Sequence, residues 1–114
     1  MKPTVLTAYY PEHWPRARWD VDARLMRDAG IGLVRMGEFA WSRLEPDAGC
    51  FDTAWLADAV GLFASHGIRS VLCTPTACYP AWLRTQFPDV SQRRRDDRIK
   101  HPGMRQDADK CHPG

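Results

Sequence analysis

The stretch Leu33–Pro46, LVRMGEFAWSRLEP, constrains the fold of this chain more than any other. It starts as an apolar, β-prone run and ends in the turn chemistry of Glu45-Pro46-Asp47-Ala48-Gly49. A near-continuous apolar run reads as a strand covered on both faces, the situation of a parallel sheet with helices outside it. Such a strand delivers Arg35, Glu38 and Trp41 to the mouth of the sheet at its carboxyl end.

The flanking segments repeat this logic. Val5–Tyr9 is short, apolar and β-prone, and stops at Pro11, which predicts a first strand. An aromatic loop, Tyr9–Pro15, follows. Arg16–Ala29 is helical: Trp19, Ala23, Met26 and Ala29 form the apolar stripe, Arg18, Asp22 and Arg24 face outward, and Gly30 caps the end. Ile31–Phe39 is the second strand. Asp52 or Thr53 can cap a helix over Ala54–His66, with Leu56, Ala59, Val60 and Phe63 inward and Gly67 as the stop. Ile68–Thr74 is the third strand, and Tyr79–Phe87 is a short helix closed by Pro88. From Asp89 onward the spacing shows no period and predicts a loop.

The order β-α-β-α-β plus a helical piece predicts an α/β fold with a parallel sheet. Three strands do not close a barrel, since a (β/α)8 barrel takes about 200 residues or more, and this chain has 114. The periodicity alone leaves a small open α/β domain and an arc of a barrel equally open.

Composition narrows the function classes. Hydrophobic residues are 44% and charged residues 26%, so the chain is globular rather than disordered. A net charge of +2 gives no argument for nucleic acid, and Asp96 and Asp97 interrupt the basic run Gln92–Arg95 and Arg98. No apolar run reaches roughly 18 residues, so no membrane partner is expected. The four cysteines, Cys50, Cys73, Cys78 and Cys111, include no C-x-x-C pair, and a cytoplasmic chain with reduced thiols is the expectation. Met1-Lys2-Pro3 runs directly into the first strand, which reads as a true N-terminus.

In β/α folds the active site lies at the carboxyl ends of the strands. Those ends carry Tyr10, Glu12, His13 and Trp14, then Glu38, Phe39 and Trp41, then Thr74, Thr76, Tyr79 and Trp82. Acids, aromatics and hydroxyls on one face suit a sugar, which offers hydroxyls at its rim and an apolar ring face. Glu12 and Glu38 follow strands about 5 Å apart, near the separation of about 5–5.5 Å that a retaining glycosidase needs. Against a catalytic pair, Arg35 keeps a neighbouring carboxylate ionised, whereas a general acid needs a raised pKa. Glu38 then pairs with Arg35 or holds a strand end, and Glu12 caps the Arg16 helix. Glu45 sits in a turn with a structural role. His13 is an acid–base candidate or a locally hydrogen-bonded loop residue. Cys111-His112 has no second ligand pair for a metal, Ser42 lacks nucleophile-elbow surroundings, and Gly30-x-Gly32 lies between helix and strand rather than between strand and helix.

Taken together, Tyr9–Pro15 (YYPEHWP), Trp19–Gly30 (WDVDARLMRDAG), Val34–Pro46 (VRMGEFAWSRLEP), Phe51-Asp52, Trp55-Leu56 and Thr74–Leu83 (TPTACYPAWL) resemble the N-terminal region of glycoside hydrolase family 42 β-galactosidases. The resemblance implies a TIM barrel, of which residues 1–114 are the first three β/α units. It implies retaining hydrolysis of terminal β-galactosides by two glutamates, one after strand 4 and one after strand 7, both beyond Gly114. No catalytic residue is then expected in this chain, and hydrolysis by it alone is not expected. The implied partner is a β-galactoside sugar, and a full-length member is a homo-trimer. Arg105 falls on an arginine that looks galactose-binding in the family, with Arg35 and Glu38 supporting the same subsite and Trp41 and Trp82 packing its wall. Asp109 falls on a cysteine that helps hold zinc in some members, and Cys111 is two residues off, so no metal ligand and no cofactor is assigned. The other class open to this chain is a non-catalytic carbohydrate-binding remnant, or a module that completes its sheet with another chain.

Overall fold

The computed structural model describes residues 3–93, 95–99 and 107–113. The chain divides into two compact units. The first runs through Gly37 and resumes over Thr53–Cys73; the second takes Glu38–Asp52 and the segment from Thr74 onward.

The first unit holds strands β1 (Val5–Ala8), β2 (Ile31–Met36) and β3 (Arg69–Leu72), all parallel in the order β1-β2-β3. Helix α1 (Arg16–Asp28) links β1 to β2, and α3 (Ala54–Ser65) precedes β3. Arg35 pairs in register with Ala8 on one side and Val71 on the other. The register slips between Val5 and Leu6, where Gly32 is skipped. This is the parallel β-α-β-α-β order expected from the sequence.

The core forms where the apolar stripes of the helices meet one face of the sheet. Tyr9, Trp19, Ala23, Val34, Met36, Ala59, Phe63 and Ile68 are buried together. Successive strand residues point to opposite faces, so Val34 and Met36, both fully buried, mark the helix-covered face. Arg35 between them belongs to the other face. Phe63 is fully buried against Tyr9, with ring centroids 4.9 Å apart; burying such a side chain contributes about 1.5–3 kcal/mol. The Trp19 indole N–H donates to the carbonyls of Pro11 and Trp14 at 3.0 and 3.2 Å, which ties the loop after β1 to α1. Between the helices, Arg16 pairs with Asp58 and His66 Nε2 lies 3.0 Å from Asp20.

Several boundaries differ from expectation for identifiable reasons. β2 ends at Met36 rather than Phe39, because Gly37 has φ +86° and a Cβ there would stand 3.4 Å from the Cys73 carbonyl. Only glycine takes this turn without strain. Asp22 faces inward, not outward: the Tyr9 hydroxyl donates to it at 2.9 Å, and Arg18 Nε lies 2.7 Å away. Ala29 is exposed and leaves the α1 stripe to Trp19, Ala23 and partly buried Met26. Thr53 occupies the N-cap of α3 but makes no side-chain capping bond.

The second unit contains two short helices, α2 (Trp41–Leu44) and α4 (Ala81–Gln86). The segment after Asp89 is not a free loop. Ser91 pairs with Ala108 and Arg93 with Ile99, both antiparallel, and Val90 is buried. Main-chain bonds from Gln92 N to Asp107 O and from Asp109 N to Val90 O close this pairing at 3.0 and 2.7 Å. Among the described residues no helix is long and apolar enough to cross a membrane.

Candidate functional site

In the first unit the site begins at the carboxyl ends of β1 and β2. β1 runs into Tyr9, whose N–H extends the ladder to the Arg35 carbonyl at 2.9 Å. A single 3-10 turn, Pro11–His13, then folds the chain back under α1. It places Glu12 with both carboxylate oxygens shielded from solvent and, among the described residues, without a hydrogen-bond partner. The His13 ring lies against Tyr10 at 5.6 Å between centroids. Arg35 is half-buried one residue before the end of β2, on the face opposite the helices. Its planar fork of N–H groups suits bidentate contact with sugar hydroxyls or a carboxylate.

Glu38 opens the second unit, in the turn directly after Gly37, and carries one fully shielded carboxylate oxygen. Glu45 organises the rest of that unit. Its Oε2 accepts the Trp41 indole N–H at 2.8 Å, its Oε1 accepts the Gly49 N–H at 2.9 Å, and its carbonyl accepts the Trp82 indole N–H at 2.8 Å. The structural role expected for Glu45 is therefore concrete: it anchors both tryptophans at once. Trp41 and Trp82 have their polar atoms committed, which fits a wall rather than a catalytic role. A cleft of about 290 Å³ is lined by Trp41, Thr76, Leu83, Val90, Asp109 and His112, among others. Sequence reasoning did not bring Asp109 and His112 to the same cleft as Trp41, because their segment has no periodicity to read.

His112 Nε2 lies 3.1 Å from Asp89, and this contact holds the Asp89 carboxyl below its usual range. Asp109 and Cys111 are the residues raised for zinc. Asp109 Oδ1 accepts the Cys111 N–H at 3.0 Å, Cys111 is exposed, and no three His, Cys, Asp or Glu converge among the described residues. No chemical step is assigned to a metal.

Of the three candidate sugar-binding residues, Arg35 lies in the first unit and Glu38 opens the second, three positions along the chain. Arg105 lies outside the described residues.

Comparison with known proteins gives one answer. The glycoside hydrolase family 42 profile, described as beta-galactosidase, matches residues 8–114. The chain is 53% identical over 102 residues to the beta-galactosidase BgaH of Haloferax lucentense, covering 90% of this chain and 15% of that protein. It is 47% identical over 97 residues to a beta-galactosidase of Thermus thermophilus, covering 85% and 15%. Among solved structures, the beta-galactosidase of the psychrophilic Marinomonas ef1 superposes with a TM-score of 0.83 at 39% identity, covering 93% of this chain and 16% of that one. The chain thus spans about 15% of the length of the curated relatives it matches. Its parallel strands and helices are the first three β/α units of a TIM barrel. By sequence and by fold, the chain belongs to glycoside hydrolase family 42.

Proposed function

We propose that this chain forms the opening arc of the catalytic barrel of a retaining β-galactosidase acting on terminal, non-reducing β-D-galactosides. It contributes part of the sugar-holding rim, and the acid/base and nucleophilic glutamates lie outside residues 1–114. The observation that carries the reading is Arg35. It sits at the carboxyl end of the central strand, on the face that α1 and α3 leave uncovered, where barrel enzymes hold their substrates. In this reading Arg35 and Arg105 donate to galactose hydroxyls, and Glu38 orients that subsite. Glu12 and Glu38 are not a catalytic pair. In this reading the two glutamates of the retaining pair are those the family resemblance puts outside residues 1–114. The reaction draws on carboxylates and needs no cofactor. The complete enzyme is cytoplasmic, takes part in carbohydrate metabolism and is a homo-trimer.

The test is incubation of the purified chain with a chromogenic β-galactoside. No turnover is expected. Clear turnover that disappears in Glu12→Gln or Glu38→Gln would overturn the assignment.

A further inference from the structure

We infer that the cleft between Trp41 and Lys110 in the second unit is a subsite for a second pyranose ring, the sugar to which the galactose is linked. This rests on the β-galactosidase reading given above for which sugar is meant, and on the cleft itself for the binding of a sugar at all. Neither Arg35 nor Glu38 lines the cleft, so the galactose subsite does not account for it. Its floor is aliphatic, from Leu83 and Val90. Trp41 is a wall whose chemistry is set by its partner. The indole N–H is committed to Glu45 Oε2 at 2.8 Å, so the ring offers the cleft carbon rather than a donor. An aromatic surface of this kind takes the apolar face of a pyranose. Glu45 is itself tied to Gly49 and Trp82, so the indole is fixed before any ligand arrives, which lowers the ordering cost of binding.

The other lining residues are polar. Lys110 enters no ion pair among the described residues. Asp109 Oδ1 accepts the Cys111 N–H at 3.0 Å, which leaves Oδ2 as an acceptor. The Thr76 hydroxyl both donates and accepts, and its contact with Thr74 Oγ1 is long, at 3.4 Å. His112 also lines the cleft, but its Nε2 faces Asp89 at 3.1 Å and its ring packs edge-on against Phe87. It is therefore a support rather than a ligand group. One cation and one anion, adjacent in the chain, offset each other. Such a pair favours a neutral polyol over a phosphate or a carboxylate, which would meet Asp109 as well as Lys110. The cleft holds about 290 Å³, at the lower limit of the roughly 300–1,000 Å³ of small-molecule sites. That is room for one ring. A donor, an acceptor, a hydroxyl and a flat apolar wall match the rim and the face of a single hexose.

The test records proton–nitrogen correlation spectra of the full 114-residue chain during titration with D-glucose and, separately, with methyl β-D-galactoside. The Trp41 indole N–H, assigned by its loss in Trp41→Phe, reports on the cleft. D-Glucose should shift it saturably. Lys110→Ala should weaken that binding by about tenfold, the loss of a hydrogen bond to a charged group, and Thr76→Val by less. Both positions are exposed, so neither change should lower the melting temperature. No saturable shift, or a shift indifferent to both substitutions, would overturn the inference. So would a stronger response of Trp41 to methyl β-D-galactoside than to D-glucose, which would make the cleft the galactose subsite itself. The β-galactosidase reading is tested apart: Arg35→Ala should abolish binding of methyl β-D-galactoside. Galactoside binding that survives Arg35→Ala, with D-glucose still seated against Trp41, counts against that reading and leaves the cleft standing as a sugar site.

Discussion

The Trp41 indole donates its N–H to Glu45 Oε2 across 2.8 Å, four residues along the same turn of chain. The other oxygen of that carboxylate accepts Gly49, and the residue's own carbonyl accepts Trp82. A glutamate that sequence position alone assigns to a proline turn is thus the knot of the second unit. Glu45→Ala should destabilise that unit by about 1–3 kcal/mol, because the Trp41 indole loses its acceptor in a partly buried setting and the exposed Gly49 N–H loses its own. Glu45→Gln, which keeps one carbonyl oxygen, should cost less. Near-UV circular dichroism during urea titration reads the two tryptophans directly, and equal midpoints for wild type and Glu45→Ala would contradict the assignment.

Burial first, and then the hydrogen bond to Asp22, push the Tyr9 phenol far above its ordinary value. The sign follows from linkage. The folded state keeps this proton to higher pH than the unfolded chain does, so Tyr9 contributes stability that is fully present below about pH 10 and is lost as pH rises beyond it. Chemical denaturation between neutral pH and pH 11 should show the wild type losing stability on the alkaline side. Tyr9→Phe should flatten that limb. An identical alkaline slope in both proteins would sink the prediction.

Gly37 separates β2 from Glu38 with a backbone only glycine adopts freely, at φ +86°, and a Cβ there would stand 3.4 Å from the Cys73 carbonyl. Gly37→Ala should therefore cost about 1–2 kcal/mol in strain at positive φ. A thermal melt of the variant should move downward. Gly49, also at positive φ but with open space around it, should lose no more than this backbone strain on the same change.

Phe63 fills the centre of the first unit and has no exposed surface. Phe63→Ala should cost about 3–5 kcal/mol, the usual range for deleting a buried ring. In a unit this small that removes most of the stability. Loss of the cooperative urea transition is the expected readout, and a transition retained within a few tenths molar of wild type would show that the core lies elsewhere.

The β-α rhythm, the parallel order and the inward stripes Trp19/Ala23 and Ala59/Phe63 were legible in the chain itself, because helix and strand periods write the buried face directly into residue spacing. The same holds for Arg35, whose place between two apolar strand residues sets it on the opposite face. Asp22 was misread for a related reason: spacing sees an acid on a helix, but not the phenol that Tyr9, thirteen residues earlier, brings to it. Likewise the pairing of Ser91 with Ala108, the bond from the Trp82 indole to the Glu45 carbonyl and the stop of β2 at Met36 depend on partners distant in sequence or on a single backbone angle. Local pattern fixes which face of an element is apolar; only the folded chain decides which polar group meets which, since hydrogen bonds are directional and short-ranged while hydrophobic burial is neither.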